Sequence, residues 1–102
     1  MAGYQRKTAL APMEVLRRAE TILPERVGLM KSKSSRHEAT YTGDEGTVTL
    51  SAHPHGFYTE VVAATDRLRT SRLDYEIQIF LNHLPYEPGD EPAPDEDGDG
   101  KE

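Results

Sequence analysis

The 102-residue chain has no cysteine, no tryptophan and only two phenylalanines. Without cysteine there is no disulfide framework, no thiolate nucleophile and no thiolate-bound metal. Such a composition points to the cytoplasm. Long apolar runs are missing too: nothing approaches the roughly 20 residues that a membrane-spanning helix needs. The opening MAGYQRKTALAP carries charge but no apolar stretch of the signal-peptide kind. No serine or threonine sits in a nucleophile motif, no cofactor motif stands out, and there are no internal repeats. The expectation is a non-enzyme that uses no cofactor.

What is present is charge, unevenly spread. The net charge is −6. From Glu87 to Glu102 there are eight acids against one base, Lys101. Residues 1–86 hold ten acids and eleven bases. The body is therefore nearly neutral, and an argument from low pI to a basic partner fails. Residues 87–102 also carry three prolines and no aliphatic residue larger than alanine. They cannot bury enough apolar surface to offset their ordering entropy, so they read as a disordered acidic tail. Residues 1–11 read as a flexible basic arm, and residues 12–86 as one folded domain.

The domain is organised around SRLDYEIQIFLNHL, residues 71–84. Leu73, Ile77, Phe80, Leu81 and Leu84 draw one apolar stripe at helical spacing. Ser71 and Asp74 read as a capping box, and Pro85 stops the helix. Thr65 and Asp66 offer an earlier cap, with a start at Arg67, and the closeness of Leu68 to the stripe favours that start. A first amphipathic helix begins at Pro12, with Val15, Leu16, Ala19, Ile22 and Leu23 inward, and Pro24 closes it. Residues 27–31 form a weak strand interrupted by Gly28. KSKSSR, residues 31–36, reads as an exposed loop. Three stretches follow with strand character. Ala39 and Tyr41 alternate with polar neighbours. Val48, Leu50 and Ala52 alternate with Thr47, Thr49 and Ser51. Phe57 to Ala64 is β-rich and mixed on both faces, as in a central strand or one that packs Tyr58 and Val62 on its second face. Short turns make these strands antiparallel. The expected fold is an α+β two-layer sandwich, with two helices on one face of an antiparallel sheet of three or four strands.

Several groups of residues invite a functional reading. His53 and His55 flank Pro54 in a turn, and His-x-His can supply two zinc ligands. His37, His83 or carboxylates would have to complete the set, and a plain polar turn is the heavier reading. In the tail, Asp95, Asp97, Asp99 and Gly100 match the first half of an EF-hand loop, but the closing glutamate and the flanking helices are missing. Lys31, Lys33 and Arg36, with Arg67, Arg69 and Arg72, form two basic clusters. An α-β-β-β-α order with basic residues at a helix start resembles double-stranded-RNA-binding domains. Shape-directed RNA binding requires a contiguous basic face, and that family's lysine-rich helix motif is absent from residues 66–72. The acidic tail could fold back on this patch and compete with an anionic partner. Tyr75 and Ile79 lie off the main stripe. They suit a dimer contact or a partner groove, or they pack under the first helix.

EVLRRAETIL, GDEGTVTL, FYTEVVA and LDYEIQIFLNHL together resemble the small bacterial polyhydroxyalkanoic-acid-system family. The resemblance covers residues 13–84 at the level of patterning. It implies association with polyester storage granules. The same order also resembles small secretion-chaperone-like binding domains. The leading expectation is a non-catalytic binding module for a protein or a granule surface, with a homodimer as one arrangement. Nucleic-acid binding through the basic clusters and a metal site at His53 and His55 are the alternatives.

Overall fold

A computed structural model of the chain describes residues 2–85. The acidic tail, its half EF-hand pattern and Tyr86 lie outside the described residues. Seven elements follow one another: β1 (Ala2–Thr8), α1 (Pro12–Val27), β2 (Met30–Ser34), β3 (Glu38–Gly43), β4 (Gly46–His55), β5 (Tyr58–Thr65) and α2 (Arg72–Asn82). The strands make one antiparallel sheet in the order β1-β5-β4-β3-β2. Helix α1 packs over β2, β3 and β4, helix α2 packs over β1 and β5, and the helices touch each other. The architecture is the α+β sandwich that the patterning predicts, with one strand more at its N-terminal end.

The strongest alternations become the centre of the core. Ala39, Tyr41, Val48, Leu50, Ala52, Val61 and Ala63 are buried beneath the helices. They meet Val15, Ala19, Leu23, Leu73, Ile77, Phe80 and Leu81 from above. Strand β5 is central, flanked by β1 and β4. The intervening residues leave the opposite sheet face polar, with Thr40 paired to Thr49 and Thr42 to Thr47 through their hydroxyls.

Four expectations need correction. Residues 2–8 are an edge strand, in unbroken register with β5 from Ala2↔Thr65 to Thr8↔Thr59. Its inward residues, Tyr4, Arg6 and Thr8, are polar, so no apolar alternation betrays it. The second correction concerns Pro24, which does not end α1. The helix runs on to Val27 and stops at Gly28, whose φ of 70° is left-handed. The Gly28 N–H bonds Pro24 O and the Leu29 N–H bonds Leu23 O. An interior proline costs roughly 3 kcal/mol. Burying Leu23 and Val27 recovers about 1.5–3 kcal/mol each, so the last turn persists.

Thirdly, the strand expected at 27–31 starts later. Val27 belongs to the helix, and β2 runs through most of the expected loop, Met30 to Ser34. All five of its residues are exposed, so backbone pairing to β3 alone defines it. Finally, α2 begins at Arg72, capped by Ser71, rather than at Arg67. Thr65 and Asp66 are committed elsewhere. Thr65 donates to Asp74, and Asp66 accepts the Thr47 N–H at 2.9 Å. Leu68 is exposed and outside the stripe.

Candidate functional site: the groove between the helices

The apolar stripes of α1 and α2 face the sheet, so the helices meet only along their flanks. Between those flanks lies a cleft of about 330 Å³. Its walls carry Ile22, Leu23 and Val27 from α1, with Ile79 and Phe80 from α2. Leu23, Val27 and Phe80 are core residues, whereas Ile22 and Ile79 are only partly buried. One ion pair crosses the cleft. Arg26 Nε donates to Glu76 Oε1 at 2.9 Å, with the Glu76 side chain 10% exposed and that of Arg26 52% exposed. The hydrogen bond from Arg26 to Glu76, and then the charge of that carboxylate, raise the Arg26 pKa above its ordinary value. Arg72 holds the same corner by donating to Arg26 O at 3.1 Å. His83 closes the cleft at the end of α2, where its Nδ1 lies 2.8 Å from Ile79 O. That contact places the imidazole proton on Nδ1.

Tyr75 and Ile79 therefore part company. Ile79 packs toward α1 and lines the cleft, while Tyr75 stays 62% exposed beside it. The two basic clusters do not merge. Lys31 and Lys33 sit on edge strand β2, opposite Tyr41 and Thr40. Arg67, Arg69 and Arg72 follow β5, which is three strand spacings away, about 14 Å. Most of these cations already have partners. Lys31 pairs with Glu20, Arg67 with Asp66, and Arg69 lies over the Tyr4 ring. Lys33 and Arg36 are exposed on and beside the β2 edge. Arginine side chains engaged at the α2 start do not present the continuous basic face that a duplex requires.

His53 and His55 project from the open sheet face near the β4–β5 turn. His53 lies against His37, with ring centroids 5.3 Å apart, and His55 stacks on Tyr58. His55 Nε2 is 3.3 Å from Glu60 Oε1. Among the described residues no group of three or more histidine and acidic side chains could hold a metal ion.

A second arrangement escapes sequence reading. Asp74 is fully buried and accepts hydrogen bonds from three hydroxyls: Tyr4 at 2.7 Å, Ser71 at 2.8 Å and Thr65 at 2.9 Å. The Asp74 N–H in turn bonds Ser71 Oγ at 3.1 Å, the cap that the sequence suggests. Partial burial, and then the bond to the carboxylate, raise the Tyr4 pKa. The carboxylate sits at the α2 N-terminus, where the helix dipole favours negative charge. With its lone pairs occupied and no exposed surface, Asp74 ties β1, β5 and α2 together and offers no oxygen to a substrate. The capping spacing was its only signal, and that spacing is silent about Tyr4 and Thr65.

No helix among the described residues is long and apolar enough to cross a membrane. Comparison with family models, curated proteins and solved structures finds no match for the chain.

Proposed function

We propose that the domain is a non-catalytic binding module whose α1–α2 groove receives an apolar segment of a protein partner. The observation that carries this reading is the cleft itself: a concave apolar surface, bordered by partly buried Ile22 and Ile79 and crossed by one ion pair. Ligand sites combine apolar walls with a few placed polar groups, and an amphipathic helix laid in a groove uses such a surface. Tyr75 beside the cleft supplies the aromatic rim common at interaction surfaces. A protein segment suits the shape better than a granule surface, which calls for a broad apolar face. The large exposed apolar residues Met13, Met30, Phe57, Leu68 and Tyr75 are instead scattered over separate elements. A non-catalytic role is supported by the state of the charged groups near the groove. Arg26 and Glu76 engage each other, and Asp74 is sealed.

The test compares the full chain with Ile79→Asp, Ile22→Asp and, on the open sheet face, Thr49→Asp. Proteins that co-purify with the wild type are expected to be lost from both groove variants and kept by Thr49→Asp, with all three variants folded by circular dichroism. Retention by both groove variants would refute the reading.

A further inference from the structure

The two edges of the sheet are built differently, and the difference points to a second copy of this chain. Strand β2 is defended. It has a register shift between Lys31 and Lys33, every residue is exposed, and Ser32 turns its hydroxyl back to Thr40 O. Bulges and lysines are the usual means of preventing pairing at an edge. Strand β1 has no bulge across its seven paired residues.

The hydrogen-bond alternation shows what β1 presents. Ala52 N–H bonds His37 O across β4 and β3, and Asp66 N–H bonds Thr47 O across β5 and β4. In antiparallel pairing the bonded pairs recur every second residue. The even-numbered residues of β4 therefore bond β3, the odd-numbered ones bond β5, and the odd-numbered residues of β5 bond the even-numbered residues of β1. Gly3, Gln5 and Lys7 are left with N–H and C=O turned outward. Ala9, next in that series, confirms the direction: its N–H is taken by Pro85 O at 3.2 Å. Among the described residues nothing pairs with the outward backbone of Gly3, Gln5 and Lys7, and Pro85 ends the free edge beyond them.

The geometry points to a homodimer in which β1 pairs antiparallel with β1 of a second copy, with Gln5 opposite Gln5 on the two-fold axis. The register is self-complementary. Gly3 then faces Lys7 of the second copy, both being outward-bonding residues. Tyr4 faces Arg6, so neither is set against a like charge. Both charges of the strand lie in its second half, so antiparallel pairing centred on Gln5 sets no like charges directly opposite, whereas in-register parallel pairing would. Gly3 leaves room for the Lys7 stem, since a Cβ there would meet only Ala63 O, at 3.8 Å. The two-fold axis stands perpendicular to the sheet, so the product is a ten-stranded sheet with both helix layers on one face. The two α1–α2 grooves then open on the same side. The surface is distinct from that groove, and either reading can fail without the other.

Residue 5 is the discriminating position, because on the axis it meets its own copy. The full chain is expected to be a dimer by sedimentation velocity, with the amides of Gly3, Gln5 and Lys7 gaining hydrogen-exchange protection as concentration rises. Gln5→Lys and Gln5→Glu each place like charges face to face, which destabilises a cross-strand pair. Each variant alone should dissociate about fivefold more readily, and an equimolar mixture should recover the dimer as a heterodimer. Gln5→Pro removes one outward N–H and no backbone bond to β5, losing besides only the exposed Gln5 Nε2 to Glu60 Oε2 contact, and should give a folded monomer. A monomeric full chain overturns the proposal, whether the edge is empty or covered by residues 86–102. So does a dimer that withstands all three substitutions, or a Lys/Glu mixture no more associated than its components.

Discussion

Replacing Tyr4 by phenylalanine removes one oxygen atom and should destabilise the fold out of proportion to that change. The Tyr4 hydroxyl lies 2.7 Å from Asp74 Oδ2 and joins residues 70 apart in sequence. A hydrogen bond to a charged group is worth about 1.5–3 kcal/mol. Tyr4 is only partly buried, so water can replace some of the loss, and about 1–2 kcal/mol is the expected cost. Asp74→Ala goes further. It strands the Tyr4, Thr65 and Ser71 hydroxyls, of which that of Thr65 is buried, and it cancels a favourable charge at the α2 N-terminus. About 3–5 kcal/mol is expected, as for breaking a buried polar network. Urea denaturation followed by far-ultraviolet circular dichroism measures both. In a double-mutant cycle, the Tyr4→Phe penalty should largely vanish in an Asp74→Ala background. Full additivity of the two substitutions would refute the idea that Asp74 is the link between β1 and α2.

Other outcomes follow from the same geometry. Removal of residues 1–8 should leave the domain unfolded or molten by near-ultraviolet circular dichroism and dye binding, because β1 completes the sheet beneath α2. Burial raises the Tyr41 pKa to about 12, and Tyr4 shifts in the same direction. The unfolded chain then ionises first above the ordinary tyrosine value of about 10. The stabilisation is full below that value and is lost as pH rises through about 12, on the order of 2–3 kcal/mol for Tyr41. Urea midpoints that do not move between about pH 9 and about pH 11.5 would contradict it. Gly28→Ala forces a side chain into the left-handed region at φ 70°, where a Cβ would touch nothing. The cost should be purely conformational, about 1 kcal/mol, read as a lowered thermal midpoint.

Reading the sequence succeeded where burial is one-sided and apolar. Val48, Leu50 and Ala52 mark β4 because they alternate with Thr47, Thr49 and Ser51, and Leu73, Ile77 and Phe80 mark α2 because they recur at helical spacing, although Asp74 and Glu76 are buried beside them. The edges were invisible for the opposite reason. Strand β1 sends Tyr4, Arg6 and Thr8 inward, where Tyr4 and Arg6 donate hydrogen bonds and Thr8 Oγ1 accepts the Leu10 N–H. Arg6 reaches Leu84 O at 2.8 Å. Strand β2 buries no side chain, so nothing in its composition separates it from a loop. Pro24 and Asp66 misled through local rules that tertiary bonds override. The groove was half visible: Ile79 showed as an apolar residue off the stripe, while Arg26 and Glu76, 50 residues apart, gave no sign that they meet.

The groove is tested most directly by a photo-crosslinking amino acid placed at Ile79, compared with one at Thr49 on the open sheet face, in the full chain inside the cells that produce it. A discrete adduct to a second protein is expected from position 79, absent at position 49 and diminished when Ile22→Asp is added. Equal labelling from both positions, or an adduct from position 49 alone, would contradict it.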